Sequence, residues 1–136
     1  MSTPLAPRGV RNNNPLNIRK SNAEWVGMAP VQSDPDFVQF DDAVYGIRAG
    51  CKIIKTYVNR GLNTISKIIS TWAPPSDNNP TDAYVANVAG ACGINPTDII
   101  DLSVIFPKLI GAMIKQEQGL PDLYPDDVIA QGIALA

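Results

Sequence analysis

The sequence predicts a mainly α fold with a small β or loop lobe, in one domain spanning residues 1–136. Three observations carry that expectation. Apolar residues recur at three- and four-residue spacing through the stretches after residue 42. Capping residues, glycines and prolines bound those stretches at helix-like lengths. The first 36 residues are instead rich in Asn, Pro, Ser and Asp. With 136 residues, 45% of them hydrophobic, the chain is long enough for one core and short for two.

Residues 1–36, with RNNNPLNIRK followed by AEWVG, read as loops with room for one short irregular hairpin. Phe37 to Phe40 alternates apolar and polar over the length of one short strand. Asp41 and Asp42 then supply an N-cap and a first-turn acid for a helix running to about Asn59 and ending at Gly61. In it Val44, Ile47, Cys51, Ile54 and Val58 stack on one face, which marks that face as core. Thr64 caps a second helix carrying Ile65, Ile68, Ile69 and Trp72, stopped by APPSDNNP because the prolines cannot continue it. A third helix starts near Pro80 and carries Tyr84, Val85 and Val88 to Gly93. A fourth covers about Val104 to Gln118, and a fifth opens at Pro125, Asp126 and Asp127.

Composition removes several chemistries. There is no histidine, which takes away Ser/His/Asp and Cys/His machinery and speaks against a catalytic zinc; no metal and no cofactor are expected. The net charge is −2 and the 11 basic residues do not cluster, so nucleic acid is not an expected partner. No run approaches the roughly 20 apolar residues of a membrane helix, so no membrane insertion is expected. MSTPLAPRGV lacks the apolar core of a secretory signal, so action outside the producing cytoplasm would need another carrier. Cys51 and Cys92 sit among Ile, Val and Ala and read as small core hydrophobes, with their pairing left open.

An enzyme with this composition works with carboxylates, amides, hydroxyls and aromatic rings, and it has only two glutamates, Glu24 and Glu117. Glu117 follows Ile110, Met113 and Ile114 at i, i+3, i+4, i+7 spacing, so it extends an apolar stripe instead of the wet face. Gly119 suits a left-handed C-cap, which puts Glu117 in the last turn at the negative end of the helix dipole. Desolvation and the dipole both push its pKa up, and a carboxyl protonated near neutrality is what glycoside cleavage needs. The same pattern also fits a helix-end glutamate curling into water. Glu24, before Trp25 in a polar loop, reads as a surface residue or sugar contact. The amide runs Asn12, Asn13, Asn14, Asn17 and Asp77, Asn78, Asn79, with Trp25, Trp72, Tyr45 and Tyr84, suit N-acetylated sugars but fit ordinary turns as well.

Four segments in order, RGVRNNNPLNIRK, DFVQFDDAVYGIRAGCKIIKTY, GLNTISKIISTWAPPSDNNPTDAYVANV and IKQEQG, resemble a family of phage and prophage virion-associated lysins. The resemblance implies a lysozyme-like or lytic-transglycosylase-like helical domain. RNNNPLNI followed by FVQFDDAVYGIRA is also similar to the second half of bacterial N-acetylglucosaminidases, where the catalytic Glu precedes the Asn-rich turn. Here the helix-end Glu follows it, which implies a circularly rearranged lysozyme core. Through the resemblance Glu117 matches the Glu of a helix-end Glu-Asn-Gly pattern in which Gln118 replaces Asn. Asn14, Asn17, Asp77, Asn78 and Tyr84 fall on patterned positions and become substrate-binding candidates.

The expectation is a murein glycosidase, a muramidase or lytic transglycosylase, that cleaves the MurNAc-GlcNAc backbone with Glu117 as acid. Asp77 is the fallback second carboxylate. Its partners would be peptidoglycan glycan strands and other virion proteins, and its place the virion, or the host cytoplasm before release to the wall. Two rival expectations stand beside it: a non-catalytic wall-binding virion module, and a lysin cutting the peptide cross-link. One geometric expectation follows: the Asn-rich loop and the APPSDNN loop should flank Glu117 from opposite sides.

Overall fold

The described residues form six α-helices: α1 (Arg8–Arg11), α2 (Ala43–Asn59), α3 (Ile65–Trp72), α4 (Thr81–Cys92), α5 (Leu102–Gln118) and α6 (Asp126–Leu135). The structure, a computed structural model, describes residues 6–136; the loop expected over residues 1–5 lies outside them. The protein is mainly α, with 54% helix and no strand among the described residues. The caps explain the helix starts. The Asp42 carboxylate accepts the Val44 amide at 3.0 Å, and the Thr64 hydroxyl accepts that of Lys67 at 3.1 Å. Asp101 does the same for Ser103 at 3.0 Å, so α5 starts at Leu102, two residues before the expected Val104. The expectation missed α1 and the single 3-10 turn at Pro75–Asp77.

The periodic apolar faces meet in one core. Ile47 and Ile54 of α2, Ile65, Ile68 and Ile69 of α3, Val88 of α4, and Leu109, Ile110 and Met113 of α5 are wholly buried. The closest helix pairings are α2 with α6 and α4 with α5. At the first of these, Gly132 lets α6 lie directly on α2, because a β-carbon there would collide with Ile47 and stand 3.2 Å from the Val44 carbonyl oxygen. Gly132→Ala is therefore expected to lower stability by about 2 kcal/mol, as overpacking of a close contact does. A fall in the urea midpoint at unchanged slope would register it. Cys51 and Cys92 are both buried and unpaired. Burial pushes the Cys51 thiol up to about 12.

Residues 12–41 form the second lobe, and the strand expected at Phe37 to Phe40 is not there. Burial does alternate, with Val38 and Phe40 buried and Phe37 and Gln39 less so. Pairing, however, is limited to two isolated antiparallel bridges, Arg19 with Phe37 and Met28 with Phe40. Side chains satisfy the backbone in place of a ladder. Gln32 donates to the Gln39 carbonyl at 2.7 Å and accepts the Gln39 amide at 2.8 Å. The Asp34 carboxylate accepts the amides of Asp36 and Phe37, the Asn12 amide, and the Arg8 guanidinium. Polar residues that compete with ladder bonds in this way favour turns over strands.

Asn14 is the centre of this lobe and is completely buried. Its amide nitrogen donates to the carbonyls of Ile18 and Val38, each at 2.9 Å, and its oxygen accepts the Ile18 amide at 2.9 Å. The expectation that Asn14 touches substrate is corrected: its hydrogen-bonding groups are used inside the protein and none faces solvent.

Candidate functional site

Glu117 stands in the last turn of α5, on the stripe that buries Ile110, Met113 and Ile114. Gly119 ends the helix in the left-handed conformation at φ 71°, as a residue without a β-carbon allows. The side chain is half-buried and held from two directions. Asn17 donates to Oε1 at 3.1 Å and the Tyr84 hydroxyl donates to Oε2 at 2.9 Å, with the Trp72 indole in the same cleft. Asn17 is itself fixed. Its backbone is left-handed, at φ 53°, a conformation asparagine tolerates better than most residues.

The next residue locks this arrangement. Gln118 is buried and donates from Nε2 to the Pro15 carbonyl at 2.8 Å and to Asn17 Oδ1 at 3.4 Å. That bond engages the oxygen of Asn17 and so turns its nitrogen toward Glu117. Gly9 of α1 lies against the same contact, where any β-carbon would run into Gln118 and Asn17. Gln118, which departs from the Glu-Asn-Gly pattern, is thus a positioning residue. In the sequence Gln118 stood out only as a departure from that pattern and Gly9 not at all, because the contact joins segments about a hundred residues apart.

Beside the carboxyl opens a cleft of about 450 Å³, lined among others by Asn17, Arg19, Trp25, Trp72, Asp77 and Glu117. The Asn-rich loop and the loop after α3 both contribute to its walls, together with Glu117. A larger groove, about 670 Å³, runs along α5 and α6 past Lys108 and Tyr124 and does not include Glu117. Among the described residues no three metal-ligating side chains come together.

Two further candidates need correction. Asn78 is exposed, does not line the cleft, and takes φ 61° to close the 3-10 turn; Asn79 lines the cleft in its place. Its neighbour's role was misread because either amide in the run fits a turn. Tyr84 is 3% exposed and lies beneath the acid, so it supports Glu117 and is not placed as a sugar contact. Glu24 is exposed and outside the cleft.

Burial raises the pKa of Glu117, and the bonds from Asn17, Tyr84 and Trp72 oppose that rise without cancelling it. The amide nitrogen of Asn17 and the indole of Trp72 can only donate, whereas a hydroxyl can also accept. A protonated Glu117 can therefore direct its proton from Oε2 to Tyr84, or into the cleft. Tyr84→Phe removes a donor to the charged form and is expected to move the Glu117 pKa further up. A carboxyl-carbon NMR titration would follow this; an unchanged or lower midpoint would contradict the role given to Tyr84.

No family model matches the chain. Its sequence is 41% identical to Protein P5 of Pseudoalteromonas phage PM2 over 131 residues, which cover 93% of this chain and 80% of that protein.

Proposed function

The chain belongs to the family of Protein P5 of Pseudoalteromonas phage PM2, and from that premise we propose that it is a phage-borne glycosidase of peptidoglycan. The observation that carries this reading is a glutamate whose proton is held up by burial and whose two oxygens are fixed by amide and phenol donors at a cleft with tryptophan walls. Tryptophan faces suit sugar rings, and amides suit N-acetyl groups. Glu117 gives its proton to the oxygen bridging MurNAc and GlcNAc as the C1–O bond breaks and the sugar bearing that oxygen departs.

Asp77 is the other carboxylate lining the cleft, and it is exposed. With one buried acid, the economical route is transglycosylation. The C6 hydroxyl of the same MurNAc attacks C1, its proton returns to Glu117, and a 1,6-anhydro end forms without water. Among the described residues no helix is long and apolar enough to cross a membrane, and the proposed place of action is the wall, reached from the virion or from the host cytoplasm. The proposed partners are glycan strands and other virion proteins.

Mass spectrometry of fragments released from purified walls tests the reading. Anhydro ends support transglycosylation, and reducing MurNAc ends support hydrolysis with Asp77 or water engaged. Peptide fragments with intact glycan would overturn it in favour of a cross-link lysin, and tight wall binding without release would make the protein a binding module.

A further inference from the structure

Among the described residues Arg19 is the single basic one lining the cleft that holds Glu117. Its guanidinium lies 5.0 Å from the centroid of the Phe37 ring, and that of Arg8 lies 4.7 Å from the same ring. The two cations differ in one respect. Arg8 is neutralised by Asp34 and Asp36, and these are the only ion pairs among the described residues. Asp34 is held well below the usual carboxylate range by that bond to Arg8, so the Arg8 charge is fully matched. Arg19 is exposed, has no carboxylate partner among the described residues, and is oriented by the ring and by the bridge between its backbone and Phe37. A guanidinium stacked on an aromatic face loses little freedom when it engages a planar anion, since its fork is already positioned.

Resting on the glycosidase reading above, we propose that Arg19 is a specificity residue that binds a carboxylate carried by the glycan, so that the cleft prefers acidic strands to neutral chitin-type ones. Two sources offer this chemistry: the free lactyl carboxylate of peptide-free MurNAc, and the carboxylates of the stem peptide. The Asp77 carboxylate in the same cleft adds to the contrast, because it disfavours a carboxylate anywhere but at Arg19.

The test measures affinity by calorimetry in the Glu117→Gln background, which prevents turnover. Three ligands of equal length are compared: peptide-bearing murein fragments, peptide-free murein strands, and a neutral GlcNAc oligomer. Adding Arg19→Gln is expected to lower the preference for at least one acidic ligand over the neutral oligomer about tenfold, the worth of one charge-assisted bidentate contact. Arg19→Lys should recover part of it, and Lys67→Gln, on the exposed side of α3, should leave the ratio unchanged. Loss with peptide-bearing fragments alone assigns the stem peptide, and loss with the peptide-free strands identifies the lactyl group. An equal loss on all three ligands overturns the proposal and leaves the glycosidase reading standing. Failure of every ligand to bind the Glu117→Gln protein with Arg19 intact overturns both.

Discussion

Glu117→Gln is expected to reduce wall lysis by about a thousandfold, the middle of the range that a positioned general acid contributes, while the protein stays folded and still binds walls. Glutamine suits the site because it resembles the protonated acid. Its oxygen can accept from Asn17, and its nitrogen can donate to the Tyr84 hydroxyl, in the places where Oε1 and Oε2 now stand. What it lacks is a proton to give. A stability effect of opposite sign should accompany the loss. Because the folded-state pKa of Glu117 is raised above 4.5, the folded protein binds this proton more tightly than the unfolded chain. The stability it contributes is complete below the unfolded value and is lost as pH rises through the folded one. Glutamine carries no such penalty, so the variant should gain on the wild type as pH rises across that window and show no gain in acid. Denaturant melts at acid and neutral pH, run beside a turbidity assay, read both effects. Lysis close to the wild-type rate would remove Glu117 from the mechanism.

Asn14→Ala is expected to be the most damaging single change outside the cleft, costing about 3 kcal/mol and, for a chain of this size, about 10 °C in melting temperature. Two buried backbone groups lose their partner at once, the Ile18 amide and the Val38 carbonyl, and the Ile18 carbonyl is left with the Val38 amide alone. The site is shut off from bulk solvent, since Asn14 is completely enclosed. The loss should extend to function, because Asn17 and Arg19 lie on the loop that Asn14 holds against residues 36–40. A variant as stable as the wild type but weakened only in sugar binding would return Asn14 to the surface role first expected of it.

The contrast between Asn14 and Asn17 shows what was legible in the sequence and what was not. Both are amides in one polar run, and composition gives them the same prospects. One became a core residue because its side chain could satisfy two backbone segments at once, a fact set by where Val38 arrives, 24 residues later. The helices were readable because their information is local, in apolar spacing and caps such as Thr64. Glu117 was readable for the same reason, as a carboxylate continuing the stripe of Ile110 and Ile114. The strand at Phe37 failed because its competitors, Gln32 and Asp34, act through side chains whose reach has no period. Arg19 gave no signal, since its unmatched charge is a property of what surrounds it in space.

The two thiols have a consequence for where such a protein can exist. Cys51 and Cys92 lie in the core with no bond between them, so no electron transfer separates the folded chain from its unfolded one. Folding is then indifferent to the redox potential around it: the same structure is available in a glutathione-buffered cytoplasm and in an oxidising envelope. With its pKa pushed up to about 12, Cys51 exposes almost no thiolate to peroxide or to disulfide exchange. Melting temperatures with and without reductant should coincide, and the protein should survive transfer between compartments without an isomerase.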